Sequence, residues 1–131
     1  MTMLKIITID DDPIVRTLIK KTFNSLGFEV ITAADGFEGL QAVIDNHPDV
    51  IFLDIMMPII DGIEVLKRIK ATPEIANIPV IMFTAVSDGA MVAESSKIGA
   101  EDYIIKPFQS SVLIQKVNEL LKDKYRKSIN Q

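Results

Sequence analysis

Val50-Ile51-Phe52-Leu53-Asp54-Ile55-Met56-Met57-Pro58-Ile59-Ile60-Asp61-Gly62 decides the fold. Four consecutive apolar residues run into a single carboxylate. A strand that is apolar without alternation is one buried on both faces, as in a parallel sheet covered by helices. Pro58 ends the extended run, and Asp61-Gly62 then opens a segment with Ile63, Leu66 and Ile69 at helical spacing, Asp61 being a good cap. The stretch reads as buried strand, loop and amphipathic helix, with an acid at the strand's carboxyl end.

The same order recurs on both sides. Leu4–Ile9 is a strand followed by Asp10-Asp11-Asp12-Pro13, where Asp12 caps a helix and Pro13 takes its first position. Ile14, Val15, Leu18, Ile19 and Leu26 are expected on that helix's inner face, and Gly27 ends it. Phe28–Ala33 is the second strand, and Asp35-Gly36 opens a helix with Phe37, Leu40 and Ile44 inward. Pro79–Phe83 is the fourth, followed by a weak segment capped by Ser87 and running to about Ile98. Tyr103–Ile105 is the fifth, before a helix capped by Ser110 with Leu113, Val117, Leu120 and Leu121 aligned. Five such units predict an α/β fold, a doubly wound five-stranded parallel sheet with helices on both faces. Ligands of such sheets bind at the carboxyl ends of the strands.

Composition is in keeping. The chain has 131 residues, 48% apolar and 24% charged, so residues 1–131 are expected to form a single domain. With no cysteine there is no thiolate nucleophile, disulfide or zinc–thiolate site. The start resembles no signal peptide, and no stretch is apolar for long enough to cross a bilayer, so a cytoplasmic location without membrane insertion is expected. A net charge of -4 argues against direct nucleic acid binding. The basic cluster Lys122, Lys124, Arg126 and Lys127 suits a solvated last helical turn. His47, the sole histidine, lacks a paired base and reads as structural.

The strand ends carry the chemistry: Asp10-Asp11-Asp12 after the first, Asp54 at the third, Thr84-Ala85 at the fourth and Lys106-Pro107 at the fifth. If these four strands are neighbours, three carboxylates meet one lysine. Like charges so close raise pKa values unless a cation intervenes. Mg²⁺ suits the site, since it takes oxygen ligands and often completes its shell with a phosphate oxygen. Taken singly, each residue has an ordinary reading: a helix cap, a turn threonine, a surface lysine.

These residues form four motifs. Ile9-Asp10-Asp11-Asp12-Pro13-Ile14-Val15-Arg16, Leu53-Asp54-Ile55-Met56-Met57-Pro58-Ile59-Ile60-Asp61-Gly62, Met82-Phe83-Thr84-Ala85 and Gly99-Ala100-Glu101-Asp102-Tyr103-Ile104-Ile105-Lys106-Pro107-Phe108 resemble, in order and spacing, those of the receiver domains of two-component response regulators. The resemblance covers essentially the whole chain. It implies a flavodoxin-like sheet of order 2-1-3-4-5, with Asp54 as phosphoacceptor. Mg²⁺, or Mn²⁺ in its place, would be held by Asp11, Asp54 and the backbone carbonyl of Met56, with Asp10 acting through water. Thr84, Ala85 and Lys106 would bind the phosphoryl group, the Lys106–Pro107 peptide being cis, and Thr84 and Tyr103 would move as the switch. It also implies a sensor histidine kinase or histidine phosphotransferase as donor. A downstream effector or fused output domain would read the fourth helix, fifth strand and fifth helix. Such a domain accepts phosphate and catalyses its own phosphorylation and dephosphorylation without being a turnover enzyme.

Met56 and Val86 depart from this pattern by being apolar beside the phosphoryl position. Neither orients an attacking water well, which predicts slow loss of the phosphoryl group. Ile60 is expected under the loop and Ile59 outside it, where it could touch a partner. No output module follows the fifth helix, so the chain is read either as acting alone or as a fragment of a longer regulator. Two rivals remain. A haloacid dehalogenase-type phosphatase would use Asp10 as nucleophile and Asp12 as acid–base, but leaves the Asp54 motif unexplained. A non-phosphorylated interaction domain would be expected to lack one of the acids or Lys106. A flavin-binding domain of the same topology is disfavoured by the aspartates facing its phosphate position.

Overall fold

In a computed structural model, the chain is described for residues 3–85 and 87–129, with side chains through residue 122. The strands are β1 (Lys5–Ile9), β2 (Glu29–Ala33), β3 (Val50–Asp54), β4 (Val80–Thr84) and β5 (Asp102–Ile105), alternating with helices α1 (Pro13–Asn24), α2 (Gly36–Asn46), α3 (Gly62–Ala71), α4 (Gly89–Ile98) and α5 (Ser110–Ile129). All strand pairs are parallel and the order is β2-β1-β3-β4-β5, as expected. In register, Ile9 sits beside Leu53, Asp54 beside Phe83, and Thr84 beside Ile105. The residues that follow β1 and β5 therefore emerge at the same sheet edge as Asp54 and Thr84.

Every residue of β3 and β4 is buried, which explains their unbroken apolar runs. Alternate side chains feed two cores. Ile7, Ile9, Ile51, Leu53 and Met82 pack with Val43, Val65, Leu66 and Ile69 on the α2–α3 side. Ile6, Phe52, Ile81 and Phe83 pack with Ile19, Phe23, Leu113 and Val117 on the α1–α5 side. Each fully buried Ile, Leu or Phe contributes about 1.5–3 kcal/mol. On the second side the rings form a chain: Phe23 lies 5.7 Å from Phe52, Phe52 stacks on Phe83 at 5.1 Å, and Phe83 on Phe108 at 4.9 Å.

Two helix faces differ from expectation. In α1 the inward stripe is Val15, Ile19 and Phe23, while Ile14 is 76% exposed and Leu18 and Leu26 also face solvent. In α2 the buried residues are Gly36, Gly39 and Val43, whereas Phe37 and Ile44 are exposed. The glycines let the helix approach so closely that a Cβ at Gly39 would press on Ile9 and one at Gly36 on Ile60 and Val65. Large side chains consequently move to the flank, where Phe37 carries Arg68 5.4 Å from its ring centre.

The helix starts follow the sequence closely. Asp12, Asp35 and Asp61 cap α1, α2 and α3, accepting from Ile14, Glu38 and Glu64 amides. The cap position of α4 is Asp88 rather than Ser87, and α5 begins at Ser110 itself, one residue earlier than a Ser110 cap implies. His47 ends α2 in the left-handed region at φ 45°. Among the described residues, no helix is long and apolar enough to cross a membrane.

Candidate functional site

Asp54 is the last residue of the central strand β3, and its side chain is 8% exposed. Two contacts fix the backbone around it. The Ile55 amide donates to Phe83 O at 3.0 Å, and the Gly62 amide donates to Ile55 O at 2.8 Å. Gly62 runs so near the strand that a Cβ there would collide with the Asp54 carbonyl, so only glycine fits. Between these anchors the loop turns tightly. The Ile60 amide donates to Pro58 O at 2.8 Å, and Ile59 takes φ 73°, a strained value for a β-branched residue. Ile60 is buried beneath the loop and Ile59 is 83% exposed, both as expected.

The three acids meet. Carboxylate oxygens of Asp10, Asp11 and Asp54 all lie within 4.8 Å of one another. Asp10 is wholly buried and both its oxygens are engaged: Oδ1 accepts from the Asp12 amide at 2.9 Å and Oδ2 from Lys106 Nζ at 2.9 Å. Asp11 is exposed, so it faces solvent at the pocket mouth. Lys106 Nζ also lies 3.4 Å from Asp54 Oδ2, and 5.8 Å from the centre of the Phe83 ring. The Lys106–Pro107 peptide is cis, matching the expectation.

The electrostatics follow from this geometry. Burial, then the charge of Asp10, pushes the Asp54 carboxyl up from 3.8 to about 7; Lys106 and the Met56 amide, which donates to Asp54 Oδ1 at 3.3 Å, pull the other way. Burial works against the charge on Lys106. The hydrogen bond from Lys106 to Asp10 and the charges of Asp10 and Asp54 outweigh it, so its pKa lies above the ordinary 10.5. The pocket is short of positive charge, and its donor set is all oxygen with an open, solvent-facing acid. That chemistry fits a hard divalent cation such as Mg²⁺.

Thr84 ends β4 nearly buried, with its hydroxyl near Ala85 O at 3.1 Å and Asp88 Oδ2 at 3.4 Å. Tyr103, in β5, points outward and is 44% exposed. Met56 is exposed on the rim; Val86 lies outside the described residues. Two contributors were not singled out from the sequence. Arg16 Nη1 donates to Asp10 O at 2.7 Å and so ties α1 to the acidic loop. Asp88 turns its carboxylate back onto the Ala85 amide at 3.2 Å. An arginine one turn into a helix could have been noticed as a reach-back donor; nothing local announces the contact of Asp88.

The arrangement is poor for the phosphatase alternative. Asp12 accepts from the Ile14 amide as the cap of α1, and Asp10, the nucleophile of that reading, is wholly buried with both oxygens in bonds of 2.9 Å, whereas the contacts of Asp54 are longer, at 3.3 and 3.4 Å.

A doubly wound α/β domain whose switch-point crevice holds three aspartates, a lysine and a threonine is a phosphoryl-accepting module in design. The chain belongs to the response regulator receiver domain family, whose model matches residues 6–118. It is 37% identical over 96% of its length to the transcriptional regulatory protein AfsQ1 of Streptomyces coelicolor, covering 55% of that protein. It is 38% identical over 89% of its length to sporulation initiation phosphotransferase F of Bacillus subtilis, covering 93% of that protein. The chemotaxis protein CheY4 of Vibrio cholerae superposes with a TM-score of 0.86 at 30% identity, over 92% of this chain and 100% of that one. The chain spans about half the length of the first curated relatives it matches. It is a receiver domain of two-component signal transduction, a class phosphorylated on aspartate and in general without turnover activity.

Proposed function

We propose that residues 1–131 act as one receiver unit in which Asp54 takes the phosphoryl group. One observation carries this assignment: of the three acids Asp54 alone ends a strand, and its Oδ2 lies 3.4 Å from Lys106 Nζ while that lysine makes its closer contact, 2.9 Å, to Asp10. An Asp54 oxygen attacks phosphorus, the bond to the donor's nitrogen breaks, and its electron pair leaves with the donor imidazole. Lys106, the Thr84 hydroxyl and the Ala85 amide donate to the phosphoryl oxygens. Asp11, Asp54 and the Met56 carbonyl would hold Mg²⁺, and Asp10, whose oxygens already make two bonds, would act on it indirectly. The metal supplies positive charge against the crowded carboxylates and the incoming phosphate.

The donor is a sensor histidine kinase or histidine phosphotransferase, and the product is read by an effector or a further domain of the same regulator. Thr84 moves toward the phosphoryl group and the outward Tyr103 turns in, reshaping the surface of α4, β5 and α5. Met56 places no polar side chain on the pocket rim, and Val86, outside the described residues, is apolar in the sequence, so hydrolysis of the phosphoryl group is slow. The exposed Ile59 and Ile14 stand near the pocket, where an apolar contact with the donor protein is available.

Intact mass after incubation with acetyl phosphate, with and without Mg²⁺, tests the assignment. One added phosphoryl group, dependent on Mg²⁺ and absent from Asp54→Asn, is expected. Modification of Asp54→Asn to the same extent as wild type would refute it.

A further inference from the structure

The loop between β4 and α4 carries a carboxylate that the phosphoacceptor reading leaves unused. Asp88 holds the cap position of α4, yet its side chain makes no bond to that helix. Its backbone, at φ -97° and ψ 33°, is not the extended conformation of the acids that cap α1, α2 and α3. Instead Asp88 Oδ2 accepts from the Ala85 amide at 3.2 Å and lies 3.4 Å from Thr84 Oγ1. These are two of the three donors assigned above to the phosphoryl oxygens. A single carboxylate oxygen therefore sits where a phosphoryl oxygen would collect the same hydrogens.

We propose that Asp88 is a resting-state latch, a positioning residue whose carboxylate occupies the Thr84 and Ala85 donors until the phosphoryl group displaces it. This rests on Asp54 being the phosphoacceptor. Thr84 Oγ1 carries one proton and lies 3.1 Å from Ala85 O as well as 3.4 Å from Asp88 Oδ2, so it cannot serve the phosphoryl group without leaving these contacts, and two anions on one pair of donors repel. Once displaced, Asp88 still holds the position before α4, where an aspartate is a favoured cap when its backbone extends as those of Asp12, Asp35 and Asp61 do. The exchange couples chemistry to α4: the same side chain that releases the switch threonine gains a partner in the helix. α4 is suited to respond, since Ser95 is its only buried residue.

The test compares wild type, Asp88→Asn and Asp88→Ala by titration with beryllium fluoride in Mg²⁺, a phosphoryl mimic, followed by the amide NMR signals of Ala85 and Met91. Asparagine keeps the capping oxygen but loses the anionic hold, so Asp88→Asn should bind roughly two- to tenfold more tightly than wild type. Asp88→Ala loses hold and cap together and should fall between the two. In a Thr84→Ala background the gain from Asp88→Asn should shrink. Affinity unchanged or weakened in Asp88→Asn, with a wild-type urea midpoint, overturns the latch, as does an equal gain without Thr84. If wild type itself shows no Mg²⁺-dependent binding, the phosphoacceptor reading falls and the latch falls with it. Because Asn is isosteric with Asp, the comparison survives even if the alanine variant fails to fold.

Discussion

Replacing Asp54 with asparagine should stabilise the metal-free protein, and most at high pH. In the fold, Asp54 keeps its proton up to about pH 7, against 3.8 for an unperturbed aspartate. The folded state thus binds more protons than the unfolded state between those values, so stability falls as pH rises through that window. Below about pH 4 both states are protonated, so the penalty for ionising Asp54 is absent and wild type and variant do not differ by it. A shift of about three pH units corresponds to a ceiling of about 4 kcal/mol. Asp11 opens the pocket to solvent, and Lys106 loses a contact in the variant, so about half of that, ~2 kcal/mol, is the expected gain at pH 8. Urea unfolding in chelator at pH 5 and pH 8 measures it. Asp54→Asn should be about 2 kcal/mol more stable than wild type at pH 8 and only ~0.8 kcal/mol more stable at pH 5. Millimolar Mg²⁺ should narrow the gap by binding the wild-type fold. A gain equal at both pH values, or a loss at pH 8, would refute the claim that burial and Asp10 destabilise the Asp54 carboxylate.

Two further outcomes are expected. Met56→Asn places a polar group on the rim beside the acceptor, and should shorten the phospho-form lifetime by about an order of magnitude, read as mass decay after removal of acetyl phosphate. Thr8 lies fully buried in β1, and its hydroxyl has no hydrogen-bond partner among the described residues. Thr8→Val should therefore raise stability by about 1 kcal/mol in a urea titration, with no change in phosphorylation.

What the sequence disclosed was periodic or punctuated. Continuous apolar runs disclosed β3 and β4 because two-sided burial leaves no alternation. Asp12, Asp35 and Asp61 disclosed three helix starts because a cap bonds its own next turn. The pocket residues were legible because each sits at a strand end, and parallel order brings strand ends together. Counting apolar residues misjudged α1 and α2. Ile14, Leu18, Phe37 and Ile44 fit an amphipathic pattern, but the inner face was set elsewhere, by Phe23 in one helix and by Gly36 and Gly39 in the other. A glycine that permits contact has no hydrophobic signature. Asp88 was illegible for a different reason: Ser87 and Asp88 are both plausible caps, and only the backbone of the β4–α4 turn decides that Asp88 faces the sheet.

Gly62 divides the region after Asp54 into two kinds of sequence. Its amide clasps Ile55 and its bare Cα rests on the Asp54 carbonyl, so both ends of the loop are pinned to the strand. Between them Met57 packs into the core, while the side chains of Met56 and Ile59 are exposed and hold nothing in place. Changes at those two positions can alter how long the signal lasts or which donor docks while the nucleophile stays where it is. The same clasp makes residue 62 intolerant of any side chain, so a protein of this design can change its timing and its company far more readily than it can change its chemistry.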